Sequence, residues 1–122
     1  MVVGEKASIG AKGENFAAEY LKRRGYRILS RNERNRFGEI DLVARAGDGT
    51  LVFVEVKTMR EGELTPEDQM KRRKMDNFRK SAEFFAGRNQ EAVDEKKGWR
   101  LDLIAITVKG GSRSIKHYEN IA

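Results

Sequence analysis

Apolar residues recur at helical spacing between Ile9 and Arg24, where Phe16, Ala17, Tyr20 and Leu21 form one stripe and Gly25 supplies a stop. From Tyr26 the pattern shortens to that of strands, predicted at Tyr26 to Glu33, Gly38 to Arg45 and Leu51 to Thr58. A second helix is predicted from Thr65 as N-cap, with Pro66 in its first position, Asp68 three residues after the cap and Gly87 as C-cap. Met75, Phe78, Ala82 and Phe85 are its inward stripe. Arg88 to Gly98 is polar and without period, which reads as a connecting loop. Trp99 to Val108 carries the run LIAITV of a strand covered on both faces, and Ser114 to Ile121 alternates weakly as an edge strand. The expected order is αβββαββ.

Within this pattern three charged residues stand in strands that otherwise read as core. Side chains alternate along a strand, so Glu39, Asp41 and Val43 are expected on one face and Ile40, Leu42 and Ala44 on the other, while Phe53, Glu55 and Lys57 share a face in the next strand. The intervening turn decides whether the two sets meet. A three-residue loop, Gly47, Asp48 and Gly49, centres the hairpin on Asp48 and puts Asp41 opposite Glu55. A two-residue turn at Asp48 and Gly49 pairs Asp41 with Val56 and sends the carboxylates to opposite faces.

Paired carboxylates repel, and burial raises the cost, so such a pair calls for a proton or a cation. Oxygen ligands suit Mg²⁺ or Mn²⁺, which take one or two carboxylates together with water and phosphate oxygens. Lys57 would complete such a site by meeting a phosphate or orienting the attacking water. The plain alternative is an ion pair that only fastens the sheet. On the first helix Glu14 falls with Gly10, Ala17, Ala18 and Leu21 on the inward side, either delivered to the same site or complementing the helix dipole. Glu19 falls with Lys22 and Arg23 as surface decoration. Lys71 and Lys74 extend the second helix's inward stripe toward its N-terminus, which suits a phosphate backbone.

Charge sharpens the expected partner. Lys and Arg number 25 against 19 Asp and Glu, a net +6, with basic clusters at Lys22 to Arg24, Arg31 to Arg36 and Lys71 to Lys74. A polyanion is the expected ligand, and solvated basic surface is the alternative. The 122 residues suit one domain, 1–122. The absence of cysteine excludes disulfides and thiolate metal sites. No apolar run approaches the ~20 residues of a membrane span and the first residues lack a signal-like apolar core, so a cytoplasmic protein with no membrane role is expected. His117, Asp102 and Trp99 read as structural: packing or surface, a polar pair with Arg100, and a strand-start anchor.

An acidic residue in one strand followed by Glu-x-Lys in the next resembles the restriction-endonuclease-like superfamily, PD-(D/E)XK, matched here by Asp41 and Glu55 to Lys57. The stretches RNERNRFGEIDLVA, LVFVEVKT, SAEFF, WRLDLIAI and IKHYEN are similar to the YraN-like family of small bacterial proteins, which resemble archaeal Holliday junction resolvases. Ile40, not proline, precedes Asp41. The resemblance implies an α/β fold with a mixed five-stranded sheet flanked by helices, a divalent metal and phosphodiester cleavage. Asp41 and Glu55, assisted by the Val56 carbonyl, would hold Mg²⁺ or Mn²⁺; Glu14 would add a ligand or water contact; Lys57 would position the nucleophile. Arg34, Arg36, Lys71 and Lys74 would grip DNA, branched or structured in the resolvase analogy, with a homodimer expected by the same analogy. The reading from another class is a non-catalytic nucleic-acid-binding module acting through a partner.

Overall fold

A computed structural model describes residues 5–62 and 72–121, with side chains left aside at 5–11, 72 and 73. Its elements are α1 (Glu5–Arg23), β1 (Arg27–Asn35), β2 (Gly38–Arg45), β3 (Leu51–Arg60), α2 (Arg72–Arg88), a short 3-10 helix (Gln90–Ala92), β4 (Trp99–Lys109) and β5 (Ser112–Tyr118). The 3-10 helix departs from the expected order, since it lies in the segment read as a structureless connection. Thr65, Pro66, Asp68 and Lys71 lie outside the described residues. Gly87 does not end α2: the helix continues to Arg88, and the Asn89 side chain donates to the Phe85 carbonyl at 2.9 Å.

The five strands form one mixed sheet in the order β1-β2-β3-β4-β5, antiparallel except for the parallel pair β3 and β4. Among the described residues each face is covered by one helix. Ala17, Ala18 and Leu21 of α1 bury against Leu42, Val52, Val54, Ile104 and Ile106, while Phe78, Ala82 and Ala86 of α2 bury against Ile40, Val43, Leu51, Phe53 and Leu101. Both helical stripes expected from the sequence therefore face the sheet, and the central strands read as continuous apolar runs because both faces are dry. α1 stops at Gly25, φ +89°, where Tyr26 N–H donates to Leu21 O and Gly25 N–H to Lys22 O, both 3.0 Å, closing the last turn.

The β2–β3 turn takes the three-residue form. Ala46 N–H donates to Thr50 O at 2.9 Å around Gly47, Asp48 and Gly49, and Gly49 has φ +100°. The ladder accordingly pairs Arg45 with Leu51 and Leu42 with Val54, a register that sets Asp41 toward Glu55. One expectation fails at this point. Ile40 packs with the α2-side cluster and Leu42 with the α1-side cluster, so the two do not share a face and the alternation slips at Asp41.

Candidate active site

The slip has a local cause. The β2–β3 ladder ends at Leu42 and Val54, and the next amide, Val56 N–H, finds its acceptor in Asp41 Oδ2 at 2.7 Å instead of in a β2 carbonyl. Asp41 thus lies in the gap where the two strands part. Val56 enters the site through this N–H. Burial first, then the Glu55 carboxylate, push the Asp41 carboxyl up to about 7; Val56 N–H opposes, and Glu14 and Glu39 add to the rise.

Glu55 stands beyond Phe53 on the buried part of β3, its side chain 11% exposed. Its Oε1 lies 3.5 Å from Lys57 Nζ and 3.2 Å from Lys74 Nζ, so β3 and α2 each contribute an ammonium to it. Burial and the neighbouring Lys74 push Lys57 below the usual lysine range, against the pull of Glu55. For Lys74 burial works downward, but Lys57 and the Glu55 carboxylate outweigh it and hold the group above its ordinary value.

On the opposite face α1 delivers Glu14 at partial burial, followed by the buried Ala17, Ala18 and Leu21. Gly13 makes that approach feasible, since a Cβ there would meet Thr58 Oγ1 at 2.5 Å. Burial, then Glu39, raise the Glu14 carboxyl, while Asn32 and Arg31 work against the rise. Oriented to satisfy both acids, the Asn32 amide donates to Glu14 Oε1 and Glu39 Oε1, 2.9 Å each. Asn32 has φ +53°, a left-handed conformation that asparagine tolerates better than most residues. Neither Asn32 nor Glu39 was singled out from sequence as a member of the site. Glu19, as expected, pairs at the surface with Lys22 at 3.5 Å.

The basic residues divide. Lys74 joins the acidic group, whereas Arg34 and Arg36 sit by the β1–β2 turn; Arg34 lies 3.6 Å from Glu39, and Arg36 stacks on Phe37 and Phe84. Asp41, Glu55 and Glu14 offer hard carboxylate oxygens of the kind Mg²⁺ and Mn²⁺ take, but their oxygens do not all lie within 4.8 Å of one another.

A second acidic group lies under β5. Asp102, His117 and Glu119 bring ligand atoms within 4.8 Å of one another and can hold a metal ion. Arg100 now takes the cationic place there, with Nε 3.0 Å from Asp102 Oδ1 and Nη2 3.1 Å from Glu119 Oε1. His117 Nε2 lies 2.7 Å from Asp102 Oδ2, and Tyr20 Oη lies 3.3 Å from Nδ1. Burial opposes ionisation of Asp102, but His117, Arg100 and Asn120 N–H hold its carboxyl below the usual range. The Asp102–Arg100 pair matches the sequence reading; the histidine is more than packing, tying β5 to β4 and α1.

No helix among the described residues is long and apolar enough to cross a membrane. Relatives extend over nearly the whole chain. A UPF0102 protein of Syntrophomonas wolfei is 38% identical over 113 residues, 92% of this chain and 95% of its own length. One from Thermotoga neapolitana is 40% identical over 108 residues, 88% and 92% of the two chains. Among solved structures, "The structure of Pyrococcus Furiosus SfsA in complex with Ca2+" is similar at TM-score 0.36 and 15% identity, covering 94% of this chain and 63% of that one. A likeness that distant carries no functional argument. The profile described as "Uncharacterised protein family UPF0102" matches residues 13–106, and with the relatives it shows that this chain belongs to the UPF0102, or YraN-like, family.

Proposed function

We propose that the protein is a divalent-metal-dependent endonuclease of the restriction-endonuclease-like, PD-(D/E)XK kind that hydrolyses phosphodiester bonds of DNA, branched or structured DNA included. The observation that carries this reading is Asp41: a half-buried carboxyl in the gap between β2 and β3, pushed to about 7 beside Glu55, with lysines on the adjoining strand and helix. A carboxyl raised by burial and by a neighbouring carboxylate, next to two lysines, is the arrangement in which acid–base and metal sites are found.

Asp41, Glu55 and the Val56 carbonyl would hold Mg²⁺ or Mn²⁺, which when bound supplies an acidified water and charge stabilisation on the phosphate oxygens. Lys57, its ammonium weakened by burial, shares a proton with the attacking water at Nζ or donates hydrogen bonds to the phosphate. Lys74 meets the phosphodiester from the α2 side. Glu14, reaching in from α1 and steadied by Asn32, adds an acceptor for a metal ligand or a bound water.

One observation favours a second reading. Glu55 Oε1 already has two ammonium partners, an arrangement complete without an ion, as a nucleic-acid-binding module acting through a partner would need. Cleavage of labelled duplex, single-stranded and four-way-junction DNA with Mg²⁺ or Mn²⁺ separates the two. Metal-dependent cutting by the wild type, lost in Glu55→Ala and Lys57→Ala, is expected. No cutting, with DNA binding equal in all three proteins, would leave the module.

A further inference from the structure

Away from the acidic gap, the β1–β2 turn and the C-terminal half of α2 enclose a groove of about 630 Å³ lined by Arg34, Arg36, Phe84, Arg88 and Asn89. The Arg36 and Arg88 guanidinium carbons each lie 5.5 Å from the centre of the Phe84 ring, and Arg36 lies 5.4 Å from that of Phe37. Phe37 and Phe84 meet edge to face, centroids 6.0 Å apart. Ring stacking thus holds two arginines in place without a carboxylate: among the described residues neither Arg36 nor Arg88 has an acidic oxygen within 4.0 Å. The one acid lining the groove, Glu33, accepts a hydrogen bond from Ser30. Arg34 is paired with Glu39 only at 3.6 Å and its side chain is 81% exposed.

We propose that this groove binds the phosphodiester backbone of nucleic acid, with Arg36 and Arg88 as the phosphate contacts and Phe84 as the residue that positions them. The proposal rests on the nuclease reading for its substrate class but adds a second anchoring site to it. Like charges gathered on one ring repel, and an anion between them removes that repulsion. Their N–H donors are not committed to protein carboxylates, so contact with a phosphate sacrifices no existing ion pair. Position fits the same partner. Lys74 touches Glu55 near one end of α2, and Phe84 is ten residues further along, about 15 Å at the helical rise of ~1.5 Å. About four nucleotide steps at ~3.4 Å each span that length.

The test is fluorescence anisotropy of labelled single-stranded and duplex DNA in chelator, at 50 and 200 mM salt. It compares wild type, Arg36→Gln with Arg88→Gln, and a control of equal charge loss, Lys96→Gln with Lys97→Gln. Two lost phosphate contacts lower the ratio of dissociation constants between the two salt concentrations about twelvefold on duplex DNA. The arginine double variant is expected to show this on every sequence, the lysine control to retain the wild-type ratio, and Phe84→Leu to fall between. Equal changes in both double variants would reduce the effect to bulk charge and overturn the site, as would no change in the arginine variant or no binding by the wild type. The two readings fail separately. A wild type that binds through the arginines yet cuts nothing with Mg²⁺ or Mn²⁺ sinks the nuclease alone. One that cuts while the arginine variant binds and cuts as it does sinks the groove alone.

Discussion

Replacing Asp41 by asparagine should stabilise the metal-free protein at neutral and alkaline pH while abolishing its response to metal. The Asp41 carboxyl rises from 3.8 to about 7 on folding. Below about pH 4 both the folded and unfolded states carry the proton, and the residue contributes its full stability. As pH rises from there through 7, the unfolded chain ionises more readily than the folded one, and that contribution is lost. That difference corresponds to ~4 kcal/mol, a ceiling, because the repulsion is shared with Glu55, Glu14 and Glu39 and solvent at the gap screens part of it. About half, ~2 kcal/mol, is the expected gain for Asp41→Asn at pH 8, or roughly 8 °C in Tm at about 4 °C per kcal/mol. The amide oxygen still accepts Val56 N–H, so the gap keeps its shape. Thermal melts in chelator at pH 4 and pH 8 read this directly, with near-equal stabilities expected at pH 4. Mg²⁺ at one hundred times its dissociation constant should raise wild-type stability by about 2.7 kcal/mol and leave Asp41→Asn unmoved. An asparagine variant less stable than wild type at pH 8 would show that Asp41 is not the source of the pH-dependent loss, and one stabilised equally by Mg²⁺ would show that it does not hold the metal.

Three further outcomes follow from the same geometry. Because a cation must displace the Asp41 proton, Mn²⁺ affinity by calorimetry should rise about tenfold per pH unit below 7 and level off above it; a flat profile would place the ion elsewhere. Gly13→Ala gains ~1 kcal/mol of helix propensity but drives a methyl into Thr58 Oγ1, so a net loss of about 1 kcal/mol is expected in denaturant melts, and a gain would mean α1 does not approach β3 this closely. Asp102→Ala removes the carboxylate that the half-buried Arg100 and His117 share and should cost about 3 kcal/mol, the low end for breaking a buried pair because Arg100 keeps Glu119. Since the Asp102 carboxyl is depressed on folding, its contribution is present above the unfolded value and lost as pH falls through the folded one, so the variant's deficit should shrink in acid.

The residues that chain geometry alone places were legible in the sequence. A turn of Gly47, Asp48 and Gly49 centres its hairpin on Asp48 whatever surrounds it, and that suffices to bring Asp41 toward Glu55. Helical spacing likewise put Glu14 among Ala17, Ala18 and Leu21, and Lys74 on the stripe of Phe78 and Ala82. Strict alternation failed at Ile40, where β2 has parted from β3 and keeps only β1 beside it. What tertiary structure decided is which distant segments converge. Asn32 reaches Glu14, Arg100 and His117 share Asp102, and Phe84 gathers Arg36 and Arg88 from two elements. Local periodicity says which way a side chain points but not what it meets, and these contacts exist only once both helices have buried their apolar faces on the sheet.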